Sequence, residues 1–268
     1  CWTGTFFIAV GSGTNTIANS YDGINWNGLG ASVFTTSGNN ITWNGSIFVA
    51  VGSGTNTIAN SYDGINWNGF GTLIYTFQGV SVCWGNSLFL ASGVNYEYSP
   101  YGDIIGYNHT IAYSSEGIDW TIAIGGYTQF NNICWNGFLF VTILSNFRYG
   151  SSTGYSTDGK TWSFNGISSI GTGYGVCWNG KFFIISGTGG IQYSPDAIYW
   201  ITPKAPLASS LFTTIYYVAS NSRVGPIIFD NQLTLNKNNY SGTNQLDLIS
   251  DKKTSDTNMA VSIQSADL

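Results

Sequence analysis

Residues 9–28 read AVGSGTNTIANSYDGINWNG, and residues 50–69 read the same twenty residues. The step between the two copies is 41 residues. A period of that length marks a repeat architecture, in which each unit buries its apolar face only against a neighbour. The end of the stretch recurs in altered form. It reads Ser20-Tyr21-Asp22-Gly23-Ile24-Asn25-Trp26, then runs from Ser61 through Asp63 to Trp67. It returns from Ser114 through Glu116 to Trp120, from Ser156 through Asp158 to Trp162, and from Ser194 through Asp196 to Trp200. A second motif opens each unit: Trp2-Thr3-Gly4, Trp43-Asn44-Gly45, Trp84-Gly85-Asn86, Trp135-Asn136-Gly137 and Trp178-Asn179-Gly180. The leading tryptophans are 41, 41, 51 and 43 residues apart.

Each unit reads as short strands. An apolar run ends in Trp, an Asn-Gly turn follows, and an aromatic and aliphatic run such as Ser46–Val51 comes next. A Gly-rich loop then leads to Thr-Ile-Ala, an Asp-Gly turn and the closing Trp. Asn-Gly and Asp-Gly between β-rich runs are strong hairpin signals, because both turn residues must tolerate positive φ. No stretch has helical periodicity or helix caps. Four strands per unit of about 40–45 residues is the arithmetic of a propeller blade. The expected fold class is therefore all-β, a β-propeller of five blades with room for a sixth. The propeller spans residues 1–220, with repeats at 1–40, 41–81, 82–132, 133–175 and 176–220. Residues 221–268 lose Trp and Cys, gain Asn, Ser, Thr and Lys, and form a polar extension too small for its own core. That extension is expected to pack on the propeller or on a partner. Ile215-Tyr216-Tyr217 falls where the next inner strand is due. It either starts a sixth blade or completes the first, and closure of the first is the preferred expectation.

The recurring Ser-x-Asp-Gly-x-x-Trp resembles a shortened Asp-box, the turn of sialidase-type (BNR) propellers. One residue between Asp and Gly is missing from every copy. The resemblance covers residues 1–200 and implies structural turn roles for Asp22, Asp63, Glu116, Asp158 and Asp196, whose carboxyl groups would accept backbone N–H groups. It implies packing between blades for Trp26, Trp67, Trp120, Trp162 and Trp200. The local chemistry agrees, since a carboxylate closes an Asx-type turn and Trp supplies a large buried area. Glu116 and Ala197 depart from the pattern, so two slightly distorted turns are expected. The C-terminal stretch from Val224 to Asp251 resembles those of uncharacterised giant DNA virus proteins related to mimiviruses.

Composition narrows the function. Charged residues make up 8% of the 268, and net charge is −5 with only eight Lys and Arg. No basic patch for nucleic acid is visible, and no run of about 18 apolar residues marks a membrane span. Cys1, Cys83, Cys134 and Cys177 share one phase before Trp. Equivalent positions in different blades are expected to lie too far apart for a disulfide. Free buried thiols favour assembly in a reducing compartment.

Catalytic groups are scarce. A sialidase needs three arginines, and outside the tail the chain offers only Arg148, with Arg223 beyond residue 220. After the turns and Asp119, the carboxylates left are Glu97, Asp103 and those of the tail, a thin basis for a glycosidase pair. The single histidine, His109, argues against a His-rich metal site and a Ser-His-Asp triad and is expected in an exposed loop. The Gly-Ser-Gly-Thr segments precede no helix that would hold a phosphate. No catalytic residue, metal ligand or cofactor is expected.

One irregularity stands out. The third unit carries an insertion from Val94 to Thr110 with Tyr96, Tyr98, Tyr101 and Tyr107. Tyrosine-rich loops on a rigid scaffold are common contact surfaces; the alternative is that the insertion extends a hairpin and packs its own rings. Asn146–Gly150 is a smaller candidate. The sequence points first to a non-enzymatic structural or protein-interaction propeller, a virion or surface component of a large DNA virus, partnered by other structural proteins or by itself. The alternative is a lectin-like attachment propeller that binds glycans through repeated sites. A glycoside hydrolase is third.

Overall fold

The alternation of apolar runs and Gly-rich turns folds as a series of antiparallel sheets. The computed structural model describes residues 1–127, 130–144, 153–166 and 168–203, together with the strands Ile215–Tyr216 and Ile227–Ile228. Among the described residues there is no helix. The Asn146–Gly150 candidate and most of the tail lie outside the described residues.

The first unit contains β1 (Phe7–Val10), β2 (Ile17–Ser20) and β3 (Asn27–Gly28), paired in that order. The second contains β4 (Ser37–Trp43), β5 (Phe48–Ser53), β6 (Ile58–Ser61) and β7 (Asn68–Gly69). The third contains β8 (Gln78–Gly85), β9 (Leu88–Tyr98), β10 (Ile104–Ser114) and β11 (Thr121–Tyr127). The fourth contains β12 (Phe130–Trp135), β13 (Phe140–Leu144), β14 (Thr153–Ser156) and β15 (Ser163–Gly166). The fifth contains β16 (Gly173–Trp178), β17 (Phe183–Gly187) and β18 (Gly190–Ser194), with an isolated bridge between Tyr193 and Ile201 where a fourth strand would be. A single bridge, Ser53 to Gln78, joins the second and third units into one sheet. Finally β19 (Ile215–Tyr216) pairs with β20 (Ile227–Ile228) and runs beside β16. Among the described residues β19 forms no ladder with β1 or β2.

In every unit the Trp of the leading motif faces a Phe five residues on, as Trp43 faces Phe48 and Trp178 faces Phe183. In the second, fourth and fifth units the Asn after that Trp closes the turn: Asn44 Oδ1 accepts the N–H groups of Ser46 and Ile47, and Asn136 and Asn179 do the same.

The cores lie between units. The residue six places after each leading Trp is buried: Ile8, Val49, Leu90, Val141 and Ile184. Four apolar clusters each draw on two neighbouring units. One joins Ile8 and Ile17 to Phe48 and Ala59, another joins Leu90 and Ile111 to Phe130 and Phe140. Such units have no core alone, so each sheet is stable only with its neighbour in place.

The leading strands are also stitched together. Val82 N–H donates to Asn40 Oδ1 (3.4 Å), Ile133 N–H to Ser81 Oγ (3.2 Å) and Val176 N–H to Asn132 Oδ1 (3.4 Å). Each donor lies two residues before its Trp, and each acceptor three residues before the Trp of the preceding unit. Asn39 Nδ2 donates to Gly79 O at 2.7 Å and Asn131 Nδ2 to Gly173 O at 2.5 Å, again one unit apart. One geometry therefore recurs at successive junctions.

Candidate functional site

The Ser-x-Asp-Gly-x-x-Trp turn is a closed hydrogen-bonded device. In the first unit the buried Ser20 Oγ donates to Asp22 Oδ1 (3.0 Å) and accepts from Gly23 N–H (2.8 Å). Asp22 Oδ1 accepts the N–H groups of Ile24 (2.8 Å) and Asn25 (2.7 Å), and Trp26 Nε1 donates back to Gly23 O (3.2 Å). Asp63 and Asp158 accept the equivalent N–H groups, Ile65 with Asn66 and Lys160 with Thr161. The turn closes with the Gly directly after the Asp, so the spacing shorter than that of an Asp-box still gives an Asx-type turn.

These bonds favour the ionised carboxylate. The N–H of Asn25, then its side-chain amide, then the N–H of Ile24 hold Asp22 far below the usual carboxylate range, and Asn66 and Ile65 do the same for Asp63. Asp158 is lowered to about 2, chiefly by Thr161 N–H. At Asp196 partial burial pushes upward, and the N–H groups of Tyr199 and Ile198 with Ser194 Oγ outweigh it.

Glu116 behaves differently. Among the described residues its longer side chain takes only the neighbouring Ser115 Oγ (3.4 Å), although Ser114 Oγ still accepts Gly117 N–H. Trp120 Nε1 is buried there without a partner. The fifth turn has Ala197 in the glycine place at φ 63°, fully buried. Its Trp200 Nε1 reaches Thr153 Oγ1 of the preceding unit (3.1 Å) instead of its own turn.

The turn glycine is the point of contact between units. A β-carbon on Gly64 would collide with Ile8, one on Gly117 would come within 2.6 Å of Val49, and one on Gly159 within 3.0 Å of Leu90. Ala197 joins the cluster of Val141. Each turn thus rests on the residue six places after the leading Trp of the unit before. The closing tryptophans follow: Trp67, Trp120, Trp162 and Trp200 are half-buried against these clusters, while Trp26 is 45% exposed. The carboxylates of all five turns face solvent one by one, and among the described residues no group of three His, Cys, Asp or Glu has the arrangement of a metal site.

The insertion of the third unit is a hairpin arm. Strands β9 and β10 are each 11 residues long and pair as far as Tyr98 with Ile104. Ser99 closes the tip, its Oγ accepting the N–H groups of Tyr101 (3.2 Å) and Asp103 (3.1 Å). Tyr96 lies opposite Tyr107, with ring centroids 5.7 Å apart. Phe77, from the approach to β8, packs on both, 5.1 Å from Tyr96 and 5.4 Å from Tyr107. Tyr98 joins at 6.0 Å from Tyr96. The outer rings stay open to solvent, Tyr98 at 53%, Tyr107 at 55% and Tyr101, at the tip, at 93%. Three of the four tyrosines therefore form one cluster and Tyr101 stands apart. Phe77 lies outside the 94–110 insertion, and Ile104 and Ile105, within it, add an exposed aliphatic pair.

His109 is a correction. It is 7% exposed on β10, not in an open loop, because the insertion lengthens paired strands and carries residue 109 into the sheet. It lies opposite Val94 and Tyr127, its Nδ1 has no partner, and burial pushes its pKa down to about 4. The thiols of Cys83, Cys134 and Cys177 are free and occupy one register on β8, β12 and β16. Burial pushes Cys83 and Cys177 up to about 12, and it raises Cys134 as well, its two neighbouring thiols adding to the effect. At neutral pH these are protonated, inert groups rather than nucleophiles.

No protein-family model and no curated protein matches the chain. Among solved structures it is similar to the computationally designed protein Ika8, with a TM-score of 0.56 at 9% identity over 82% of this chain. It spans 64% of the length of that matched chain. It is also similar to a chain of the nidogen/laminin complex, with a TM-score of 0.51 at 10% identity over 69% of this chain and 70% of the other. At such identities the likeness is one of fold alone: a chain of antiparallel sheets built from repeated units, with no family assigned by sequence.

Proposed function

We propose that the chain is a β-propeller that works as a non-enzymatic interaction scaffold, a virion or surface component of a large DNA virus that holds other structural proteins. The observation that carries this reading is how the repeated polar residues are used. In the motifs that keep them, Ser, Asp and Gly are taken up in closing a turn and seating it on the preceding unit. Exposed aromatic rings also lie on the turns, as at Tyr21, Tyr62 and Tyr199, but Phe77, Tyr98 and Tyr107 meet around Tyr96 on the β9–β10 arm, where the repeat is broken. A scaffold of equal units with one distinctive arm suits binding better than catalysis.

The recurring junction geometry supports blades arranged around an axis, with β4, β8, β12 and β16 nearest to it. A sixth blade begun by β19 is favoured over closure of the first by the place of β19 beside β16. The sequence adds a second sign. Where Gly173 presses on Ile143, the equivalent pair at the preceding junction is Phe130 and Ser92. Large and small have changed sides. Ser186 holds the place of Ser92 in the fifth unit, and both hydroxyls are buried without a partner, which supports a further junction beyond β17.

Cross-linking of purified particles with mass spectrometry tests the role. The scaffold reading expects links from this chain to a structural protein, and particles that carry the chain with no such link would contradict it. The exposed tyrosines also favour a second reading, a lectin-like propeller. Specific binding on a glycan array with no structural-protein link would support it.

A further inference from the structure

The β9–β10 arm has the make-up of a docking edge for one kind of partner. Its exposed side chains are Tyr98, Tyr101, Ile104, Ile105 and Tyr107, joined by Phe77 at 37% exposure. Side chains on a closed hairpin lose little entropy on binding, because the turn already fixes the backbone of the tip and ring contacts hold Phe77, Tyr98 and Tyr107. Two exposed isoleucines side by side have no use in stacking on a sugar ring, but they suit an apolar protein surface. The charges of the arm are Glu97 and Asp103, both exposed, and neither forms an ion pair among the described residues. No Lys or Arg lies in the inserted segment. Acidic residues beside an apolar ridge repel an acidic partner and steer a basic one. A second copy of this chain, with its net charge of −5, fits less well.

We infer that the arm docks a segment of a partner protein that carries aliphatic or aromatic anchors flanked by Lys or Arg. This rests on the scaffold reading above and names its contact surface. The anchors lie on the tyrosine and isoleucine ridge, and the basic flanks reach Asp103 at the tip and, around the edge of the hairpin, Glu97, which faces the side opposite Tyr96 and Tyr98 on β9. Encounter should quicken at low salt, while the apolar ridge sets the lifetime of the complex.

Selection of a phage-displayed random 12-residue peptide library on the full chain, followed by affinity measurement on synthetic copies of the winners, tests this. Winners should combine at least two Lys or Arg with apolar anchors. Tyr101→Ala with Ile105→Ala should weaken them by about ten-fold. Glu97→Gln with Asp103→Asn should weaken them by about three-fold or more and flatten their salt dependence. All four side chains are exposed, so the variants should melt with the wild type, and circular dichroism checks that. Winners whose binding ignores the arm variants would overturn this inference and leave the scaffold reading standing. Winners without basic residues would overturn the charge argument. A neutral glycan that binds and is lost in Tyr101→Ala would reassign the arm to sugars, and a chain that selects no peptide would overturn both the inference and the scaffold reading.

Discussion

Gly117 sits on Val49, one unit behind it in the chain, so closely that an added β-carbon would lie 2.6 Å from Val49 Cγ2. The glycine also has φ 73°, and its carbonyl accepts Asn60 Nδ2 of the same neighbouring unit at 3.2 Å. One residue thus combines turn geometry with the contact between sheets. Gly117→Ala should cost about 2 kcal/mol or more, from left-handed strain and overpacking together. Chemical denaturation against wild type measures it.

Ala197 occupies the same place at φ 63° with its methyl buried. Ala197→Gly relieves strain of about 1 kcal/mol and gives up packing of about 0.8 kcal/mol. Its effect should fall within about 1 kcal/mol of zero, and a loss near that of Gly117→Ala would show that the two turns are not equivalent.

Glu116→Asp should restore the turn that Asp22, Asp63 and Asp158 make, since the shorter side chain brings its carboxylate under the next two N–H groups. A gain of about 0.5–1 kcal/mol is expected, typical of a regained side-chain cap. A thermal melt with no gain would mean that the third turn owes its geometry to packing alone.

Stability should fall in two pH steps. Burial holds the folded pKa of His109 down to about 4, against about 6.5 for a free imidazole. The unfolded chain binds its proton first, so stability is intact above about pH 6.5 and drains as pH falls toward 4. The turn aspartates are lowered by folding. Their contribution is present above their unfolded pKa near 3.8 and is lost as pH falls further, through about 2 for Asp158. His109→Gln should remove the first step and keep the second, read from denaturation midpoints across pH 7 to 2.

Much of this was legible in the sequence, for a physical reason. The duplicated stretch at 9–28 and 50–69 fixes both turn residues and strand alternation, and local turn chemistry acts within a few residues. The position of Asp22, Gly23 and Trp26 in one turn needs no knowledge of the rest of the chain. What the sequence hid depends on partners far away. Phe77 joins Tyr96 and Tyr107 only because β9 and β10 pair beyond the usual length of a unit. His109 is buried because an inserted stretch became paired strand. The contact of each turn glycine with the preceding unit was also out of view, since a glycine shows no side chain by which to infer a neighbour.

The arm should separate stability from binding. Tyr96→Ala removes the ring between Phe77, Tyr98 and Tyr107 and should destabilise by about 1–2 kcal/mol. Tyr101→Ala, at the open tip, should leave the melting temperature unchanged.

The central claim is that the repeated motif is a seam between successive units. A double-mutant cycle on Gly117→Ala and Val49→Ala tests it most directly. Truncating Val49 removes the atom that the new methyl would strike, so the double variant should be more stable than the sum of the single losses by about 1 kcal/mol. Additive losses, within about 0.3 kcal/mol, would show that Gly117 and Val49 do not meet across a seam, and would contradict the account.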